Sequence, residues 1–321
     1  MIEPRLLDRL EQKKARLDDL RPLPVAAVRR LGEQLTVEWI YNTNAIEGNT
    51  LTLRETGLIL EAGLTVGGKS LREHFEVINH KEAIDYVEAL TGDDEPITPF
   101  HARQIHKLVM ANIDDETAGQ YRNLPVRIAG SEYQTPDAWQ VSQLMDDWGN
   151  WLNGPALALH PIERAASAHH RLAAIHPFID GNGRTARLVM NLLLMRDGYP
   201  PTIILWVNRR QYYRVLAQAD EGNVAPLVNF VGRAVERSLT VYVQSCTPRA
   251  APLAQEDEWI PLHQAARGTP YSQEYLSLLA RKGRLEAIKR GRLWVTTRRA
   301  VTAYQRSVGK AEKRGGHTPG A

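Results

Sequence analysis

The sequence predicts a mainly α-helical fold with one small β-hairpin, followed by a small C-terminal domain built as a helix-turn-helix with a two-strand wing. Three observations carry that expectation. Apolar residues recur at helical spacing along most of the chain up to Val243, interrupted by Gly, Pro and Asp clusters. Period-two alternation is confined to two short places, VRI and EYQ around a glycine, and LEAIKRGRLWVT. A proline- and small-residue segment, SCTPRAAPLAQEDE from Ser245 to Glu258, separates an acidic body from a basic end.

The elements follow in order. Leu6, Leu10, Leu17 and Leu20 make the opening helix amphipathic within a charged segment. A second helix runs from about Ala26 to Tyr41 and enters TNAIEGNTLTLRET, and a third covers about Leu71–Leu90 before GDDEP breaks the chain. Helices are then expected at about Pro99–Ile113, Asp137–Leu152, Ile162–Ile175, Arg184–Arg196, Arg209–Glu221 and Ala225–Val243, with the hairpin between the first two. Beyond the linker, IPLHQAAR and YSQEYLSLLARKG give two short helices separated by Gly268, Thr269 and Pro270, and two strands flank Gly291. The expected divisions are 1–97, 98–233, 234–258 as helix end and linker, 259–306, and a disordered tail at 307–321.

Composition bounds the function. The 321 residues are 43% hydrophobic and 24% charged, enough for two or three domains with packed cores. No run of eighteen apolar residues exists, and the start MIEPRLLDRLEQKKARLDD is charged throughout, so a cytoplasmic protein with no membrane partner is expected. Cys246, the single cysteine, excludes an internal disulfide and any cysteine-built metal site. The net charge of +3 hides an asymmetry. Trp259 to Arg314 holds thirteen Lys/Arg against three Glu, a surplus of ten, which leaves −7 on the rest.

The chemistry lies in Ile175-His-Pro-Phe-Ile-Asp-Gly-Asn-Gly-Arg-Thr-Ala-Arg187. Pro177 disfavours helix at His176, and Asp180, Gly181, Asn182 and Gly183 form a turn that opens the next helix. Unpaired N–H groups at such a helix start, with the dipole behind them, make an anion site. Arg184 and Arg187 lie three apart on one face and add two guanidinium forks. A carboxylate at Asp180 beside a phosphate calls for a bridging divalent cation, and Mg²⁺ takes one or two carboxylates plus phosphate oxygens. His176 titrates near neutrality and can accept a proton from an attacking hydroxyl. These are the parts for attack on a nucleotide phosphate.

HPFIDGNGRTAR also resembles, at every defined position, the Fic-family signature HxFx(D/E)GNGRxxR. The resemblance extends over about Thr98–Gly232 with a helical lead-in from about Thr36, and implies a Fic-type helical bundle with a small hairpin flap. It implies transfer of AMP from ATP to a Ser, Thr or Tyr hydroxyl of a target protein or of the chain itself. His176 would be the general base, Asp180 the Mg²⁺ ligand, and Gly181, Asn182, Gly183 and Arg184 the phosphate cradle. Thr185 and Ala186 complete the nucleotide-binding run to Arg187, which would hold the terminal phosphate. A phosphorylating branch has Lys where this chain has Gly183, so Gly183 favours AMP transfer. Ile128, Ala129, Gly130 and Ser131 lie where the family's flap covers the nucleotide and pairs with the target's backbone. Tyr212 and Asp220 resemble positions that contact the adenosine end, with core packing an equal reading of Tyr212, and many members have Asn at the position of Asp220. Thr43-Asn-Ala-Ile-Glu47-Gly48 resembles the inhibitory motif (S/T)xxxE(G/N), in which Glu47 would pair with Arg187 and deny it to the γ-phosphate.

Other signals carry less. Gly63 to Ser70 fits the P-loop pattern GxxxxGK[ST], but no buried strand precedes it, so it reads as a loop between helices. His169 and His170 are adjacent and cannot share a metal face; they, His74 and His80 read as helix-face residues, and Met190 and Met195 as core fillers. Trp259–Tyr304 resembles the winged helix-turn-helix domains of excisionase-like and MerR-like DNA-binding proteins. In that arrangement Ser272, Gln273, Tyr275 and Arg281 would enter a groove, and Lys289, Arg290 and Arg292 would meet phosphates. The expected partners are thus ATP, a target protein or self, DNA at the basic domain with protein docking as its alternative, and a second copy in a homodimer. Two alternatives stand beside this reading: a DNA-binding regulator using the Fic domain as scaffold or sensor, and an enzyme that also removes AMP.

Overall fold

The structure, a computed structural model, describes residues 1–92, 94–128, 131–247, 258–291 and 293–305. The chain divides into two compact units, Met1–Thr247 and Pro248–Ala321. The expected linker residues 248–257 and the tail from 306 onward lie outside the described residues.

The first unit is helical throughout: α1 (Pro4–Asp19), α2 (Val25–Ile46), α3 (Leu53–Ala62), α4 (Leu71–Ala89), α5 (Pro99–Met110), α6 (Val141–Leu152), α7 (Pro161–Ile175), α8 (Asn182–Arg196), α9 (Arg209–Asp220) and α10 (Ala225–Cys246). α8 is the hub. Its residues from Arg184 to Leu194 are all buried, so it is apolar or internally paired all round and other helices surround it. α7 packs along one side of it, and α4 and α5 along others. α1 lays Leu6 and Leu10 against Gly232 of α10, so the opening helix shares one core with α7 and α8. The division expected at 233/234 falls inside α10, whose Phe230, Val235 and Leu239 belong to one buried cluster.

The local chemistry of the helix starts accounts for several boundaries. Thr52 with Glu55 and Ser70 with Glu73 form reciprocal capping boxes at α3 and α4. The Glu73 carboxylate is pulled down to about 2, first by the Thr50 hydroxyl and then by the Ser70 and Thr50 amides, against the opposing effect of burial. Gly63 to Ser70 is a loop between α3 and α4, with Lys69 Nζ donating to Thr50 O and Oγ1 at 2.6 and 2.8 Å rather than facing a phosphate. α2 runs five residues beyond the expected Tyr41. Asn42, Thr43 and Asn44 are buried with polar partners there, which outweighs their low helix propensity.

The expected hairpin at 126–134 is present only as a chain reversal. Ser131 N–H donates to Ile128 O at 3.1 Å and Thr135 Oγ1 to Val126 O at 2.7 Å, but the described residues there form no strand ladder. A lone two-strand ribbon is marginal in water, and prolines at 125 and 136 bracket this one. Ala129 and Gly130 lie outside the described residues.

The second unit contains β1 (Ile260–Pro261), α11 (Leu262–Ala265), α12 (Gln273–Arg281), β2 (Ala287–Arg290) and β3 (Leu293–Thr296), after which residues 298–305 are helical. The strands form an antiparallel sheet in the order β1-β3-β2, with Ile288 opposite Val295 and Ile260 opposite Thr296. Its own core gathers Ile260, Leu262, Leu276, Leu279, Leu285, Val301 and Tyr304. Arg292 lies outside the described residues.

Candidate active site

α7 ends at Ile175, and His176 takes the left-handed conformation, φ 50° and ψ 57°, which turns the chain out of the helix. Pro177 enforces that exit. The carbonyl of Ala173 can only accept, so His176 Nδ1 carries the proton in their 3.2 Å hydrogen bond and Nε2 keeps its lone pair. Burial pushes the imidazole pKa below its usual value; the Ala173 bond, Glu47 and Asp180 oppose this and Arg122 adds to it. The ring is therefore neutral at pH 7, and Nε2 is able to accept a proton.

The turn after it is closed by side chain on backbone. Asn182 Oδ1 accepts from Phe178 N–H at 2.9 Å and Asn182 Nδ2 donates to Phe178 O at 2.8 Å. Gly181 sits at φ 73°, and a Cβ there would come 3.0 Å from Met110 Sδ and 3.2 Å from the His106 ring. It starts α8 without any side-chain cap, so the first amides of that helix remain available to an anion. Asp180 and its neighbours stand at this mouth. Burial would raise the Asp180 carboxyl, but Arg184, the Gly181 N–H and Arg72 outweigh it and hold the group ionised.

Two arginines point inward from α8. Arg187, 3% exposed, donates from Nη2 to Glu47 Oε1 at 2.7 Å and to Thr43 O at 3.0 Å, and from Nε to Thr43 Oγ1 at 2.8 Å. Burial alone would lower its pKa, yet the Glu47 charge and the Tyr212 hydroxyl raise it, so Arg187 stays a cation. Arg184, 2% exposed, forms ion pairs with Glu76 Oε1 at 3.3 Å and Asp180 Oδ1 at 3.7 Å. Its Nε has no hydrogen-bond partner among the described residues. Gly183 is hemmed in by the same pair: a Cβ there would collide with Glu47 Oε1 and lie 3.1 Å from Arg187 Nη1.

Several groups at the site carry no local sequence signal. Arg72 of α4 pairs with Asp180 Oδ2 and, at 3.4 Å, with Glu76. Glu76 also accepts from Asn49 Nδ2 at 2.9 Å, which ties α4 to the turn after Glu47. His106 stacks on Phe178 at 3.7 Å, donates from Nε2 to Asp180 O at 2.9 Å and accepts the Gly119 N–H on Nδ1 at 2.9 Å. Arg122, 3% exposed, holds the His176 carbonyl at 2.8 Å. These contacts join residues tens of positions apart, so only their burial partners reveal them.

Other expected residues stand elsewhere. Thr185 and Ala186 are fully buried, so their side chains pack in the core and do not line the mouth. Tyr212 is 2% exposed and its hydroxyl lies 2.7 Å from His169 Nε2, the core packing that is the equal alternative to an adenosine contact. Asp220 is paired with His170 Nε2 at 2.9 Å. Ile128 and Ser131 flank the reversal described above. No group of three or more His, Cys, Asp or Glu among the described residues can cage a metal. A single exposed carboxylate does fit Mg²⁺ arriving on nucleotide phosphates.

The Fic/DOC family model matches residues 96–194. A protein adenylyltransferase Fic from Nematostella vectensis is 39% identical over 249 residues, 77% of this chain and 57% of that one. One of the same name from Aedes aegypti is 38% identical over 79% of this chain and 52% of its own length. The chain thus spans about half the length of these curated relatives. Among solved structures, a fragment of Fic-1 from C. elegans is 37% identical with a TM-score of 0.66, covering 74% of this chain and 71% of that one. A Fic domain containing signaling protein from Bacteroides thetaiotaomicron is 29% identical with a TM-score of 0.70, over 74% and 97% respectively.

Proposed function

Because the chain belongs to the Fic/DOC family, we propose that it is a protein adenylyltransferase whose resting state is held off by its own N-terminal helices. The observation that carries this reading is the pairing of Glu47 with Arg187 in the same cradle that presents His176 and Asp180.

In the proposed reaction a Ser, Thr or Tyr hydroxyl oxygen of a target protein or of the chain itself attacks the α-phosphorus of ATP. Its proton passes to His176 Nε2, the bond from the α-phosphorus to the bridging oxygen breaks, and pyrophosphate leaves with that electron pair. The amides of Asn182, Gly183 and Arg184 receive phosphate oxygens, with the two arginines as cations beside them. Asp180 would hold Mg²⁺, which neutralises phosphate charge when bound. To admit it, Arg72 must release the Asp180 carboxylate. Arg187 cannot grip a γ-phosphate while Glu47 occupies its Nη2, so nucleotide enters misplaced until that pair opens.

The test is label position. Incubation with α-labelled and, separately, γ-labelled ATP should mark protein only from the α position, and His176→Ala should abolish the mark while nucleotide still binds. Label from the γ position would replace AMP transfer with phosphoryl transfer.

A second reading concerns the C-terminal unit. Lys289 and Arg290 are exposed on β2, and Gln273 and Arg281 are exposed on α12. This supports duplex DNA as a partner through phosphate and groove contacts. Ser272 is spent as the α12 cap and Tyr275 bonds Tyr304, so those two are weaker groove candidates.

A further inference from the structure

We propose that Arg122 is a positioning residue for the transfer, a clamp that fixes the backbone of the catalytic base and both roots of the 124–136 excursion as one body. The role rests on the adenylyl-transfer reading for what is positioned; the contacts stand without it.

Arg122 is buried, and all its hydrogen bonds go to backbone carbonyls. Nε donates to His176 O at 2.8 Å, Nη1 to Leu124 O at 3.1 Å, and Nη2 to Pro136 O at 2.6 Å, with Ile175 O at 3.5 Å. Its own N–H donates to Pro177 O at 2.9 Å. No carboxylate forms an ion pair with it among the described residues, and burial lowers its pKa against the weaker pull of Asp137. A desolvated cation without an anion is costly, so a flat fork that meets carbonyls from three segments at once is what compensates.

Each contact falls on a part of the proposed machinery. The carbonyls of Ile175 and His176 end α7, where helix carbonyls lack partners and a cation is favoured by the dipole. His176 is one of two non-glycine residues at positive φ among those described, a conformation that persists only where the surroundings impose it. Release of its carbonyl lets the residue relax toward ordinary φ and swings Nε2 away from the mouth. Leu124 and Pro136 are the two ends of the reversal that contains Ile128 and Ser131, whose arms are cross-tied by Thr135 Oγ1 on Val126 O. One guanidinium therefore sets the base and the expected nucleotide cover together. Lysine cannot substitute, because one ammonium cannot meet carbonyls spread over that span.

The test uses full-length protein carrying Glu47→Gly, so that a basal rate is measurable, with Arg122→Lys and Arg122→Gln added separately. Expected is a loss of roughly 10–100-fold in the single-turnover rate of label transfer, with nucleotide Kd within about threefold. The His176 ring resonance, assigned by its loss in His176→Gln and read by proton–carbon NMR without nucleotide, should move in both variants. Thr135→Val alone should lower the rate, and should cost little more once Arg122 is Lys, since both act on the same body. An unmoved ring signal with an unchanged rate overturns the proposal. Loss of nucleotide binding and melting temperature together with the rate, or additive effects of Thr135→Val, also overturns it in favour of a general packing role. Absence of transfer in the Glu47→Gly parent would count against the adenylyl-transfer reading instead, and the ring resonance would still decide whether Arg122 sets His176.

Discussion

Gly183→Ala should couple strongly to Glu47, because the added Cβ would occupy the space of Glu47 Oε1. Gly183 lies in the first turn of α8, where alanine suits the backbone, so the penalty comes from the collision rather than from dihedrals. Arg187 is too buried to move far, whereas the Glu47 carboxylate is partly exposed and can swing out. That departure forfeits a charge-assisted hydrogen bond worth about 1.5–3 kcal/mol and leaves Arg187 with Thr43 and Tyr212 alone. In a Glu47→Gly background the methyl group meets only Arg187 Nη1 at 3.1 Å, a tight contact rather than a collision, and the same change should cost little. The coupling energy is then about 1.5–3 kcal/mol, or roughly 3–12 °C in Tm for a unit of this size. Urea and thermal unfolding of wild type, both single variants and the double variant measures it directly. Additivity within about 0.5 kcal/mol would refute the steric link between Gly183 and Glu47.

Further outcomes follow from the same contacts. Burial depresses His169 to about 3 against its ordinary 6.5, so the unfolded chain takes up a proton first as pH falls. Its contribution to stability is complete above pH 6.5 and is lost toward pH 3, and His169→Gln should flatten the stability–pH slope by ~1.4 kcal/mol per unit in that window; an unchanged slope between pH 6 and 4.5 removes the buried neutral imidazole from the explanation. Arg72→Ala frees Asp180 Oδ2 from a largely exposed pair, so the Mg²⁺ concentration for half-maximal nucleotide binding should fall by up to about fivefold, and a rise would show that Arg72 supports the nucleotide instead. If the second unit binds duplex DNA, affinity should drop steeply with salt and Lys289→Ala should reduce the salt slope by about one unit; full-length protein without salt-dependent affinity would leave protein docking as its role.

The helices of the first unit were legible because each needs only a local period and a cap, as at Thr52 and Ser70. The cradle was legible for a related reason, since His176, Asp180, Gly181 and Arg187 lie within a dozen residues and their spacing alone places them at one helix start. Glu47 could be named ahead of the structure through resemblance, although it lies 140 positions from Arg187. What escaped were single residues whose partners are distant and whose neighbours say nothing. His106 reads as one more apolar-face position of α5 until its ring lies on Phe178. Arg122 and Glu76 look like surface charges until burial assigns them carbonyls and Arg184. Tyr212 could be read toward the adenosine or into the core, and only its ring packing among Phe230 and His169, with its hydroxyl on His169 Nε2, decides where it lies. The alternation at 126–134 signals a reversal, yet alternation without a third strand or a covering face does not build a ladder.

If Glu47 withholds Arg187 from ATP, that pair should govern the rate of α-label incorporation into the protein itself, compared for wild type, Glu47→Gly and Glu47→Gly with Arg187→Ala at saturating ATP and Mg²⁺. Expected are a low rate in wild type, a rise of roughly tenfold or more in Glu47→Gly as one charge-assisted hydrogen bond is removed from competition, and loss of that gain when Arg187 is also absent. Equal rates in wild type and Glu47→Gly, or a gain that survives Arg187→Ala, would contradict it.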